Sequence, residues 1–256
     1  MLTKTEIKSL KSLQLKKYRD ETQSFLVEGK RSVEEAINHG HGIDVVLLSH
    51  DLADSNNTLI KKLENKNIRF DILSSKEIDS ISDVKNSQGI IAKIKYFDTV
   101  TLGSFIKKIK FTKLLILDAV SDPGNMGTII RTADWFSIGG IILCNNCVEI
   151  YNPKVVRSTM GSIFRTPIIT CNGINQMFEE LKEKGYTIFA ADLNGESYDK
   201  INYPQRSALV FGNEAHGISE NIITFVDKKI TIPKKGNAES LNVAVSAGII
   251  ISRSVG

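Results

Sequence analysis

Short apolar runs alternate with stretches of helical spacing along the whole chain. Phe25-Leu-Val-Glu-Gly29 precedes Val33, Ala36 and Ile37, which repeat at the spacing of one helix face. Residues 45–48 and 68–73 and the run Gly89-Ile-Ile-Ala-Lys-Ile94 read as further strands with helix between them. This pattern predicts a small α/β/α layered domain over residues 1–97. Residues 98–110 mix polarity around Gly103 and are the expected linker. Over residues 111–256 strand and helix alternate more strictly. Strands are predicted at 114–117, 141–143, 168–169, 187–191, 208–211 and 230–232. Helices are predicted to start at Met126, at Pro153 and at Leu241, with others near 174–184 and 220–225. Such βαβ alternation predicts an α/β unit with a largely parallel sheet.

Composition narrows this picture only slightly. A chain of 256 residues with 41% hydrophobic and 24% charged residues is that of a globular protein of one large or two ordinary domains. The net charge of +4 permits a nucleic-acid partner without requiring one. Lys4, Lys8, Lys11, Lys16, Lys17 and Arg19 are opposed only by Glu6 near the amino terminus, a pattern that suits either a solvated helix face or a phosphate-contacting one. No apolar run reaches the length of a membrane span and none follows the opening Met-Leu-Thr-Lys, so a cytoplasmic protein is expected. The 3 cysteines are an odd set, and Cys144-Asn-Asn-Cys147 has no second pair or histidine cluster beside it. Neither a disulfide framework nor a metal site is expected.

The candidate chemistry lies where apolar runs end. Asp122-Pro-Gly-Asn125 is turn chemistry, with Asn125 placed to cap a helix from Met126. Ile129, Ile130, Ala133 and Phe136 form that helix's apolar stripe, and Arg131 lies off it. A capped helix start after a strand is either a well-made turn or an anion pocket. Val210-Phe-Gly-Asn-Glu214 ends a strand at Gly212, where a ligand could approach the backbone, and leaves Glu214 in the next loop. His216 reads as an ordinary loop residue. Ile232-Pro-Lys-Lys-Gly236 closes another strand, and Glu239-Ser-Leu-Asn242 opens the last helix with Ser240 as the expected cap. There is no G-x-G-x-x-G fingerprint and no Walker A lysine, which opposes a nicotinamide-dependent dehydrogenase.

These three stretches resemble the signature motifs of the SpoU (TrmH-like) class of RNA 2′-O-methyltransferases in the SPOUT superfamily. The pattern around Phe25 to Val33, with Gln88-Gly89 entering a strand, is similar to the ribosomal-protein-like substrate-binding domain that many of them carry. The resemblance implies a parallel-sheet SPOUT domain with a deep trefoil knot, S-adenosylmethionine as donor and a ribose 2′-hydroxyl in RNA as acceptor. It implies 23S ribosomal RNA ahead of transfer RNA, because the tRNA-specific relatives usually lack the attached domain; a noncatalytic RNA-binding protein of the same fold is the alternative. Residue by residue, it gives Arg131 the catalytic position and has Asn125, Glu214, Ser240 and Asn242 hold ribose, phosphate and arginine. Gly212, Ile232 and Leu241 carry over as donor contacts, while Lys234 stands where relatives more often have an apolar residue. The resemblance also implies a twofold homodimer, and no metal.

Overall fold

The computed structural model describes residues 2–84, 87–108 and 113–256. The first elements are α1 (Lys4–Ser12), α2 (Lys16–Thr22), β1 (Ser24–Glu28), α3 (Lys30–His39), β2 (Ile43–Ser49), α4 (His50–Ser55), α5 (Asn57–Asn65), β3 (Phe70–Leu73), α6 (Ser75–Ile81) and β4 (Ile90–Lys95). They are followed by α7 (Leu102–Lys108), β5 (Lys113–Asp118), α8 (Pro123–Trp135), β6 (Gly140–Cys144), α9 (Pro153–Ser158), β7 (Ile168–Thr170) and α10 (Ile174–Glu183). The chain closes with β8 (Thr187–Ser197), β9 (Ser207–Phe211), α11 (Glu220–Ile223), β10 (Lys228–Thr231) and α12 (Val243–Val255). It divides into two compact units: Met1–Asp98 with Ile150–Phe164, and Thr99–Glu149 with Arg165–Gly256.

In the first unit the strands pair in the order β1-β4-β2-β3, with β4 antiparallel to both neighbours and β2 parallel to β3. Successive strand residues point to opposite faces, so the apolar runs feed two cores. Phe25, Val27, Val46 and Leu48 pack with Val33 and Ile37 of α3 on one side. Leu26, Val45 and Leu47 pack with Leu10, Ile78 and Ile81 on the other. The layered α/β/α reading of the sequence therefore holds.

Helix α9 differs from its expected place as a crossover of the second unit. Val156, Ile163 and Phe164 enter the first unit's core, and Tyr151 stacks on Tyr96 with ring centroids 3.8 Å apart. The Tyr151 hydroxyl accepts the Phe97 N–H at 2.8 Å. Helical spacing identifies an apolar face but not the core it joins, so the sequence pattern could not assign this segment. Arg19 departs as well. It is 2% exposed, and its guanidinium donates to the carbonyls of Leu13 and Gln14 at 2.8 Å each. It ties α1 to α2 instead of joining the exposed lysines.

In the second unit a six-stranded sheet runs in the order β10-β8-β9-β5-β6-β7, every neighbouring pair being parallel. Strands β6 and β9 are buried along their whole length and β5 nearly so, as a parallel sheet covered on both faces requires. The segment expected as a linker contributes α7, whose Phe105 is buried against Leu114 and Ile142; residues 109 and 110 lie outside the described ones. From β5 the chain moves on to β6, whereas from β9 it passes beyond β8 to β10. Strands β5 and β9 thus flank a topological switch point, where the loops leaving their carboxyl ends diverge and open a crevice.

The packing yields a stability prediction. Arg19→Ala would leave two buried carbonyls without their charged donor and should lower the unfolding free energy by about 3 kcal/mol. Chemical denaturation of wild type and variant checks this, and an unchanged midpoint would remove Arg19 from the framework.

Candidate active site

The site begins where β5 ends. Helix α8 starts at Pro123, three residues before the expected Met126, and its cap is Asp122, not Asn125: Asp122 Oδ1 accepts the Asn125 N–H at 2.8 Å. Proline suits the first helical position because the amide it lacks would have had no partner there. With the cap supplied by Asp122, the Asn125 side chain is turned to other work. Its Nδ2 donates to Glu214 Oε1 at 2.9 Å, and its Oδ1 accepts from Asn242 Nδ2 at 2.9 Å. One amide therefore joins residues that lie 89 and 117 positions away in sequence.

Asn242 is itself a cap. Its Oδ1 accepts the N–H groups of Ala244 and Val245 at 2.9 and 3.3 Å, so α12 opens at Val243 and the expected cap, Ser240, is not used as one. Ser240 is exposed and makes no hydrogen bond among the described residues. The cap places two further orphan amides under side-chain control while leaving Asn242 Nδ2 free to reach Asn125.

The loop after β9 is a closed turn. Asn213 and Gly217 exchange backbone hydrogen bonds at 2.8 and 3.0 Å, and Asn213 Oδ1 accepts the N–H groups of Ala215 and His216. A Cβ on Gly212 would collide with the Gly217 carbonyl, so the glycine is needed for this backbone approach as well as for the pocket it lines. Glu214 projects from the turn and accepts from Ser121 N–H, Ser121 Oγ, Asp122 N–H and Asn125 Nδ2. Burial pushes this carboxyl upward, but the donors, Asn125 first among the side chains, outweigh it and hold Glu214 below the ordinary glutamate value. Ser121 lies outside the motif read from sequence, and Asp122 is read there as the start of a turn, although an aspartate directly before Pro123 is also a helix-start signal.

A cavity of about 870 Å³ opens beside these loops, within the size range of cofactor pockets. Gly212, Glu214, Ile232, Ser240, Leu241 and Asn242 all line it. The wall mixes apolar residues such as Phe211, Ile218 and Ile232 with charged and polar ones such as Asp192, Glu214 and Lys229, a combination that suits a ligand with an apolar ring and a polar tail. Lys234 and His216 also reach the wall and are exposed. Of the expected site residues, Asn125 is joined to the wall through Glu214 and Asn242. Arg131 is not part of the wall. It is exposed on α8 with Thr128 and Trp135, and it makes no hydrogen bond or ion pair among the described residues.

The cysteines stand apart from this chemistry. Burial raises the Cys147 thiol to about 11, and its Sγ lies 3.2 Å from the carbonyls of Leu117 and Cys144. Among the described residues no cluster of three or more His, Cys, Asp or Glu side chains could hold a metal ion, and no helix is long and apolar enough to cross a membrane.

Comparison with known proteins gives this geometry its context. Residues 112–252 match the SpoU rRNA methylase family, and residues 4–92 match the MRM3-like substrate binding domain. Over 247 residues the chain is 32% identical to the 23S rRNA (guanosine(2553)-2′-O)-methyltransferase RlmP of Bacillus subtilis, covering 96% of this chain and 94% of that protein. An AdoMet-bound rRNA methyltransferase from Sinorhizobium meliloti has a similar structure, with a TM-score of 0.87 and 30% identity over 99% of this chain and 95% of that one. An RNA methyltransferase structure of the TrmH family from Porphyromonas gingivalis is similar at TM-score 0.85 and 28% identity, over 99% and 98% of the two chains. A family match across more than half of the chain and a relative spanning nearly all of it lead to one conclusion: this protein belongs to the SpoU rRNA methylase family and carries an MRM3-like substrate-binding domain ahead of its methylase domain.

Proposed function

We propose that the protein methylates a ribose 2′-hydroxyl of 23S ribosomal RNA with S-adenosylmethionine as donor. The observation that carries this reading is the Glu214–Asn125–Asn242 chain, which ties three motif loops together at the edge of an 870 Å³ pocket. The pocket suits the donor by size and wall chemistry, with Ile232 and Leu241 for the adenine and the Gly212 turn offering backbone groups. When bound, S-adenosylmethionine supplies an electrophilic methyl group for an in-line displacement. The protein's part is then alignment and charge stabilisation. Asn125, Glu214 and Asn242 hold the loops, and Ser240 contacts ribose or phosphate, a role that its exposed, unengaged hydroxyl in the cavity wall supports. Arg131 stabilises the developing 2′-oxyanion, since a guanidinium keeps its proton and presents a planar fork of donors.

The exposure of Arg131 outside its own chain's pocket supports a homodimer in which it serves the partner's site. Trp135, on the same exposed stripe, is 83% exposed, and Val245 of α12, the helix packed on α8, is 51% exposed. Exposed apolar side chains on two helices that pack on one another suit an isologous twofold contact. The return of the chain from β9 through β10 to α12 is, in this reading, the family's trefoil knot. The exposed Lys4, Lys8, Lys11, Lys16 and Lys17 of the first unit serve the RNA backbone, and the protein acts in the cytoplasm. The target ribose is presented in a loop or bulge, where a 2′-hydroxyl is accessible.

Kinetics, binding and assembly each test this. Arg131→Ala should lower kcat by about a hundredfold or more while S-adenosylmethionine binding by calorimetry stays within about threefold of wild type. A fully active variant would take Arg131 out of the mechanism. Replacing Lys8, Lys11, Lys16 and Lys17 by Glu should weaken RNA binding at least about tenfold and flatten its salt dependence, with donor binding unchanged. Equal RNA affinity would move the contact elsewhere. Trp135→Asp should convert a dimer to a monomer in sedimentation at micromolar concentration. Mixing Arg131→Ala subunits with Gly212→Trp subunits should then restore activity if each site draws on both chains, and mapping of 2′-O-methylation on ribosomal and transfer RNA identifies the substrate.

A further inference from the structure

Asp118, the last residue of β5, is wholly buried, and nothing in the motif chemistry uses it. A buried carboxylate is costly unless donors surround it. Here they come from two directions. Oδ2 accepts the Ser219 N–H at 2.7 Å and the Ser219 hydroxyl at 2.8 Å. Oδ1 accepts Asn145 Nδ2 at 2.6 Å, and the same Nδ2 lies 2.9 Å from Ser219 Oγ. Ser219 immediately follows the 212–218 turn that walls the cavity. The other end of that turn is fixed on the neighbouring residue, where Asn213 Nδ2 donates to the Ala119 carbonyl at 2.8 Å. Ala119 holds a positive φ of 53° and Asn145 one of 46°, backbone shapes that non-glycine residues adopt only when their surroundings over-determine them.

The turn is therefore gripped at three points by the segment leaving β5: at its start by Ala119, at its tip by Ser121 and Asp122 acting on Glu214, and at its end by Asp118. The tip contact is exposed and the start contact is one neutral hydrogen bond. Only the Asp118 contact is charged, multiple and buried. A turn that lines the pocket with Gly212, Asn213 and Ile218 cannot shift while Ser219 is held in this way.

We propose that Asp118, oriented by Asn145, is a positioning residue that sets the donor-binding turn through Ser219 and so determines donor affinity. The inference rests on the donor-pocket reading above. Its consequence is a split between binding and turnover. The side-chain partners of Asp118 are Ser219 and Asn145 and not Arg131, so loss of the carboxylate acts mainly before chemistry.

The test exploits donor and acceptor logic. Asp118→Asn must place its new NH₂ against either the Ser219 donors or Asn145 Nδ2. The KM and calorimetric Kd for S-adenosylmethionine should each rise about tenfold or more, while kcat at saturating donor stays within about threefold. Adding Asn145→Asp offers that NH₂ an acceptor and restores the charge, so the double variant should recover donor affinity to within about threefold of wild type. Ser219→Ala, which deletes one hydroxyl and keeps the N–H contact, should raise Kd in the same direction by a smaller factor and serves should Asp118→Asn fail to fold. Wild-type donor affinity in Asp118→Asn, or a double variant no better than the single one with both folded by circular dichroism, would overturn the inference. So would an unchanged Kd in Ser219→Ala where the single Asp118 variant is unfolded. A wild-type protein that binds no S-adenosylmethionine would instead overturn the donor-pocket reading itself.

Discussion

The second unit depends on the parallel register of β5 between β6 and β9. Leu117 pairs with Leu143 on one side and with Phe211 on the other, so all three strands end at one level. Buried on both faces, this sheet admits polar side chains only where its strands stop. The residues that follow, Asp118 to Asp122, Asn145, and Asn213 to Ser219, consequently meet in one place. Asp118, Ser121, Asp122, Asn145, Asn213, Glu214 and Ser219 among them are polar, because the backbone leaving a buried sheet has amides and carbonyls that need partners. Hydrogen-bond satisfaction and site geometry are linked here: the donors that satisfy Glu214 and Asp118 hold the tip and the end of the 212–218 turn that lines the pocket.

The strands were legible because a parallel sheet writes them as continuous apolar runs, and Leu114-Leu-Ile-Leu117, Ile141-Ile-Leu143 and Ala208-Leu-Val-Phe211 appear where expected. The helix starts were less so. Pro123-Gly-Asn125 looks like a turn in sequence, and only the cap on Asp122 shows that it is already the first turn of α8. The same ambiguity favoured Ser240 over Asn242, since both are good caps and the choice is made by a tertiary contact, the Asn242–Asn125 hydrogen bond. Tertiary context also decided α9 and Arg19. An apolar face is visible in sequence, but the core that receives it is not, and a buried arginine reads like any exposed one.

The motif residues were legible as a group through the family resemblance, yet their division of labour was not. Six of the eight line the pocket, whereas Asn125 acts as a clasp behind it and Arg131 stands on another face of α8. Asn125 and Arg131 are six residues apart, which on a helix of 3.6 residues per turn turns them about 120° from one another. One helix thus presents its clasp to its own pocket and its cation elsewhere, a geometry that a linear motif cannot display.

The protonation of Glu214 bears on the chemistry itself. A motif glutamate in the wall of the pocket proposed for the donor invites a role as general base, and an effective base at neutral pH needs a pKa raised toward 7. Glu214 moves the other way: its donors hold it below the ordinary carboxylate value despite burial. Because the folded-state value is depressed, the clasp it forms is intact above the ordinary carboxylate range and loosens only as pH falls through that lowered value. A carboxylate engaged by Ser121, Asp122 and Asn125 has its lone pairs committed to the loops. Its task is to hold 121–125 against the 212–218 turn, and acceleration must then come from alignment of donor and 2′-oxygen and from positive charge at the nascent oxyanion. In the proposed function that charge is assigned to Arg131, the exposed cation with no hydrogen bond or ion pair among the described residues, which has both the charge and the freedom to supply it.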